Sequence, residues 1–178
     1  MAQTFLKLDT GVTGTLPTSN YVQGGIQVAD QWRLYENSLG DKNPVTVWEK
    51  IDSTYNGTLG TGMSMSTGVF TFPQTGIWEV NFFSSITRTS SDDEMQFTLK
   101  NNSDDALAFV KGHIADANSN SVVSFSVLLD ITDVSNNNNK VKLVINGAGT
   151  ENDSNSGKLR GSSIQNETVM TFTRLGDT

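Results

Sequence analysis

Residues 68–83 read GVFTFPQTGIWEVNFF, and the fold class turns on them. Two runs rich in β-formers, Val69–Phe72 and Ile77–Phe83, flank Pro73, Gln74, Thr75 and Gly76. Proline presets φ for a turn, and glycine tolerates the positive φ that often closes one. Phe, Val, Ile and Trp suit a pleated, half-buried surface, so the two runs are expected as antiparallel neighbours and not as helix.

Alternation extends outward from this stretch. Met95, Phe97 and Leu99 interleave with Glu94, Gln96, Thr98 and Lys100, the period of a strand with one wet face. A turn at Asn101–Asp105 leads into Leu107–Ile114. Val123, Phe125, Val127, Leu129 and Ile131 form a further alternating row, as do Val141, Leu143 and Ile145. Ile26–Leu34, Val45–Ile51 and Thr168–Leu175 complete the set. Capped segments of helical period are absent. Roughly nine or ten short strands between Gly, Asn and Asp turns predict an all-β, antiparallel two-sheet sandwich. Its expected core is Phe70, Phe72, Trp78, Val80, Phe82, Phe97, Leu99, Phe125, Val127, Leu143 and Ile145.

Residues 1–25 differ. After Phe5, Leu6 and Leu8 comes GVTGTLPTSNYVQGG, which holds neither periodicity and reads as an extended arm. Such a segment buries too little apolar area to order itself alone. Phe5, Leu6, Leu8, Leu16 and Tyr21 are its candidate contact points with a partner. The division expected is therefore an arm over 1–25 and one β-domain over 26–178.

Charge narrows the partners. A net charge of −7 opposes the phosphate neutralisation on which nucleic-acid binding rests, and it opposes adhesion to anionic lipid. No run approaches the ~20 apolar residues of a membrane span, and no signal peptide is expected at the start. With no cysteine, disulfides, thiolate chemistry and Cys-ligated zinc are excluded together.

Candidate chemistry is thin. His113 is the lone histidine, in the strand-like KGHIAD, with no nucleophile-elbow motif. The acidic groups Asp92-Asp93-Glu94, Asp104-Asp105 and Asp130 with Asp133 invite an acid–base reading. Turn chemistry accounts for the first two, because Asp caps nearby backbone N–H groups. Calcium is the open alternative, with oxygen donors in 130–139 and 151–155 but no EF-hand spacing. Trp32, Trp48 and Trp78 lie inside apolar runs, which favours packing over ligand stacking. Asn136, Asn137, Asn138 and Asn139 form a polar hairpin loop and the candidate receptor contact, since binding residues favour loops on rigid scaffolds. The expectation is a non-enzymatic protein that needs no cofactor.

Phe70, Pro73, Gly76 and the aromatic Trp78 resemble the central signature of the C1q/TNF-like jelly roll, with Trp where that family usually carries Tyr. LKNNSDDALAF at 99–109, SVVSFSVLLDITDV at 121–134 and TVMTFTRLG at 168–176 resemble its later strands, so the likeness spans 26–178. The Gly-X-Y stalk of complement-type members is not in the sequence. TGTLP at 13–17 is similar to lead-ins of bacteriophage tail fibres. DQWRL at 30–34, GTGMS at 60–64 and RLG at 174–176 resemble C1q-like proteins of marine phages.

The resemblance implies a homotrimer in the virion: a fibre, spike or capsid decoration bound through its arm to other virion proteins. The alternative it leaves is a receptor- or carbohydrate-binding module for host attachment. Apolar residues on both faces of several strands also argue for trimerisation, because a monomer would leave one such face wet. Ile77, Phe83, Val144, Val169 and Thr171 are the candidate interface residues.

Overall fold

The computed structural model describes residues 25–51, 57–88, 93–114, 119–149 and 156–178. Among the described residues twelve strands are formed: β1 Val28–Leu34, β2 Ser38–Leu39, β3 Trp48–Lys50, β4 Ser64–Ser66, β5 Val69–Thr71 and β6 Gly76–Thr87. They continue as β7 Asp93–Asn101, β8 Ala106–Ile114, β9 Asn120–Ile131, β10 Val141–Asn146, β11 Lys158–Leu159 and β12 Thr168–Gly176. The helical content among the described residues is one 3-10 turn, Asn137–Asn139.

The strands make two antiparallel sheets, one of seven strands and one of five. In the larger, β3, β1, β12, β6 and β9 lie side by side. β11 takes up the far end of β6 beyond β12, and β2 pairs with β11. The smaller sheet runs β4–β5–β10–β7–β8. Strand β6 is the spine, paired with β9 from Gly76 opposite Ile131 to Thr87 opposite Asn120.

One expectation is corrected here. Val69–Phe72 and Ile77–Phe83 are not paired neighbours, because β5 bonds β4 and β10 while β6 bonds β12, β9 and β11. Pro73–Thr75 is a corner that carries the chain from one sheet to the other, and Gly76 turns it at φ +135°. The corner forms because the aromatic faces of the two runs are buried against each other. Phe72 meets Trp78 edge to face across the core, at 5.1 Å between ring centroids.

An aromatic row fills the space between the sheets. Phe70 touches Trp32, Trp48 and Phe172 at 5.3, 5.7 and 5.1 Å, and Phe82 lies against Phe97 and Phe125. The expected core is observed, except that Phe125 and Val127 are half-buried at its margin on β9. All three tryptophans are buried and serve packing.

One carboxylate points into this core. Asp30 lies on the inner face of β1, where its Oδ2 accepts from the Trp32 indole N–H at 3.1 Å and the Met63 backbone N–H at 2.7 Å. Lys50 Nζ stands 3.3 Å from the same oxygen and 5.4 Å above the Trp32 ring. The segments DQWRL and GTGMS, far apart in sequence, therefore meet at one buried charge. Pairing and two N–H donors satisfy Oδ2, while Oδ1 is buried without a hydrogen-bond partner.

Candidate functional site

Pleating divides β6 into two rows. Trp78, Val80 and Phe82 face the core, so Ile77, Glu79, Asn81 and Phe83 face outward. Register then defines the rest of the outer face. Phe83 lies between Val169 of β12 and Ser124 of β9; Asn81 lies between Thr171 and Ser126; Glu79 lies between Thr173 and Leu128. The Ser126 hydroxyl donates to Glu79 Oε1 at 3.2 Å. Phe83, Asn81, Val169, Thr171, Ser124 and Ser126 line a shallow groove of about 490 Å³.

This face is unusual in what it shows to solvent. Val122 is 61% exposed, Leu128 62% and Phe83 43%. These three large apolar side chains share one sheet face, set among Asn81, Glu79, Ser124 and Ser126. Beside it the outer row of β1 is closed by an ion pair. Arg33 is buried, its Nε 2.7 Å from Glu49 Oε1, and its guanidinium also donates to the Ser163 carbonyl.

Four of the five sequence-derived interface residues, Ile77, Phe83, Val169 and Thr171, lie on this one face. Val144 is the correction. It belongs to β10 in the other sheet and is 2% exposed within a single chain, so it has no surface to offer a partner. Val122 and Leu128 were not singled out from sequence, because their row (Val122, Ser124, Ser126, Leu128, Asp130) is mostly polar and reads as plain solvent-facing surface. Their weight shows only once register sets them beside Phe83 and Glu79.

The sandwich has a polarity along its length. Val28 opens β1 opposite Arg174, while Gly76 sits opposite Ile131 and next to the end of β12. Gly25, the 73–75 corner, the 132–140 loop and the last residues thus share one end. Asn136–Asn139 occupy this end, beside the 101–105 turn, through the Asn102 N–H bond to the Lys140 carbonyl at 3.0 Å. Asn136 caps the 3-10 turn by accepting from Asn138 N–H, and Asn139 Nδ2 donates to the Asp133 carbonyl at 2.7 Å. The arm residues Phe5, Leu6, Leu8, Leu16 and Tyr21 lie outside the described residues.

Glu94, Asp104, Asp105 and Asp133 are engaged in local hydrogen bonds or ion pairs, and Asp92 lies outside the described residues. Asp133 accepts from Ser135 N–H at 2.8 Å and Ser135 Oγ at 2.7 Å, which holds its carboxyl below the ordinary range. Glu94 pairs with Lys111 at 2.6 Å. His113 is exposed on β8, in register with Glu94. Among the described residues no group of three or more His, Asp or Glu side chains is placed to hold a metal ion. The 151–155 stretch, the second candidate calcium loop, lies outside the described residues.

Asp104 gives a pH test. Lys142 Nζ at 3.0 Å, Asn43 Nδ2 at 3.3 Å and the more distant Lys100 hold its carboxyl below the ordinary value of about 3.9. A folded value below the unfolded one contributes stability above the unfolded pKa and loses it as pH falls through the folded pKa. Melting temperature should therefore drop as pH falls below about 4, and Asp104→Asn should shallow that drop while lowering the plateau at neutral pH. Equal slopes in the two proteins would remove Asp104 from the acid limb.

No protein-family model matches the chain, and no curated protein matches it. Solved structures do. The Eiger TNF of S. frugiperda superposes with a TM-score of 0.59 at 11% identity, over 85% of this chain and 94% of that one. Murine APRIL, in its pH 5.0 crystal structure, superposes with a TM-score of 0.55 at 14% identity, over 83% and 98%. The fold is a TNF-like jelly roll. Identities this low carry the fold and leave function to the surface.

Proposed function

We propose that this protein is a non-enzymatic, homotrimeric structural component of a phage virion, serving as fibre, spike or capsid decoration. The observation that carries the reading is the exposed apolar face of β6, β9 and β12. Val122, Leu128 and Phe83 lose contact with water only if another protein surface covers them, and a second and third copy of this chain cover them by closing a ring. Each Å² of apolar surface so covered is worth about 25 cal/mol. Glu94, Asp104, Asp105 and Asp133 are engaged with neighbouring lysines, asparagine and serine, and the three tryptophans are core.

In this reading residues 1–25 anchor the trimer to another virion protein. The arm leaves the domain at Gly25, from the end that also holds the C-terminus, so the opposite end projects away from the particle. Removing residues 1–24 should leave a soluble trimer, with three times the mass of the shortened chain by light scattering, that no longer joins particles. Full incorporation of the truncated protein would place attachment in the jelly roll.

Host attachment is a second role, compatible with the first, and the same end-to-end polarity favours it. It also moves the receptor contact. Asn136–Asn139 stand at the anchored end, so a surface meeting the host belongs to the other one.

A further inference from the structure

Beyond its last pair with β3, at Leu34 opposite Trp48, the chain makes an excursion through residues 35–47. Ser38 and Leu39 pair with β11, which pairs in turn with Ile86 and Thr87 at the end of β6 far from Gly76. The excursion then returns along β10, with Lys42 bonded to Ile145 and Val45 to Leu143. In its curve lies a cavity of about 270 Å³, in the half of the sandwich away from Gly25.

The lining has a definite chemistry. Glu36 and Thr46 stand exposed at the rim, Asn37 beside them, and Ser38 is buried at the floor. Lys42 adds a cation, and Leu39 with Val47 add two half-buried apolar walls. Glu36 accepts hydrogen bonds, Lys42 and the Asn37 amide donate them, and the two hydroxyls do both.

The wall is preset. Asn37 Oδ1 accepts from the Gly161 N–H at 2.9 Å, which leaves its NH2 as the group that can turn to a ligand. Only glycine fits at 161, since a Cβ there would stand 2.0 Å from the Glu36 carbonyl oxygen. The 160–167 loop that presses on this wall is itself held. Arg160 makes two contacts to Glu167, and the Ser162 hydroxyl accepts from the N–H groups of Ile164 and Gln165. A rim fixed before binding loses little conformational freedom when it binds.

We propose that this cavity is a saccharide site, taking one neutral sugar ring of a surface glycan. The proposal rests on the attachment role above and gives it a location. A polyhydroxylated ring is the ligand that uses interleaved donors and acceptors together with two small apolar walls. A polyanion is disfavoured by Glu36 at the rim and by the net charge of −7. A hydrophobic peptide anchor would leave the buried Ser38 hydroxyl poorly matched.

The test uses the full chain on immobilised hexose and N-acetylhexosamine glycosides, with free methyl glycosides as competitors. Glu36→Ala and Thr46→Val should each weaken binding about tenfold or more, because each removes hydrogen bonds to the ring. Their positions are exposed, so melting temperature should stay unchanged and separate a lost contact from a lost fold. Binding that survives both changes but falls in Asn137→Ala or Asn138→Ala overturns this site and leaves the attachment role standing. No binding to any glycoside overturns the site and the saccharide basis of attachment together.

Discussion

Phe70→Ala should be the most destabilising single substitution, with a loss of about 3–5 kcal/mol in denaturant unfolding at unchanged m-value. Phe70 is fully buried on β5, and its ring contacts Trp32 and Trp48 from the β1–β3 side and Phe172 from β12. Removing it opens a cavity between the two sheets where large rings on three strands meet. These rings are stiff and belong to separate strands, so the space collapses poorly, and poor collapse is what raises the cost of a cavity. Against a total stability of about 5–15 kcal/mol, a loss of that size removes a large share of what keeps the domain folded. A midpoint shift worth less than about 1.5 kcal/mol would mean that the aromatic row repacks around the missing ring.

The same row shows what could be read without coordinates. Alternation placed Phe70, Phe72, Trp78, Val80 and Phe82 on buried faces, because a period of two is a property of the strand alone. It could not say which strands pair. Val69–Phe72 and Ile77–Phe83 look like a hairpin because a short turn links them, yet a turn of that length serves equally well as a corner between sheets. Pairing depends on where distant strands such as β10 and β12 lie, and no local pattern records that. Val144 failed for a related reason. Two-faced apolarity in β10 reads as surface awaiting a partner, whereas the chain's own packing covers that valine. The very short strands β2, β4 and β11 hold two or three residues each, too few to show a period. The cavity among residues 36–47 was equally invisible, since Glu36, Asn37 and Thr46 come together only through the returning path of the excursion.

Leu128→Asp combined with Phe83→Lys should convert the protein from trimer to monomer at micromolar concentration, without unfolding it. Both side chains are substantially exposed in the single chain, so neither change opens a cavity in the core. In an assembled ring the same positions lose water. Asp at 128 would lie opposite Glu79 in register and two residues from Asp130, adding a third carboxylate to that corner in every subunit. Lys at 83 would place an ammonium between Val169 and Ser124, where no carboxylate stands directly opposite. Burying charges without partners costs several kcal/mol each, and three-fold repetition multiplies the penalty around the axis. A stable interface of roughly 800 Å² per partner cannot absorb that and persist. Light scattering should report a trimer for the parent chain and a monomer for the double variant, with circular dichroism of both still all-β. Asn137→Ala, in the 132–140 loop and off this face, should remain trimeric as a control. A monomer mass for the parent chain would remove the ring altogether. A trimer that survives both charges would instead move its axis away from β6 and β9 to a different face of the jelly roll.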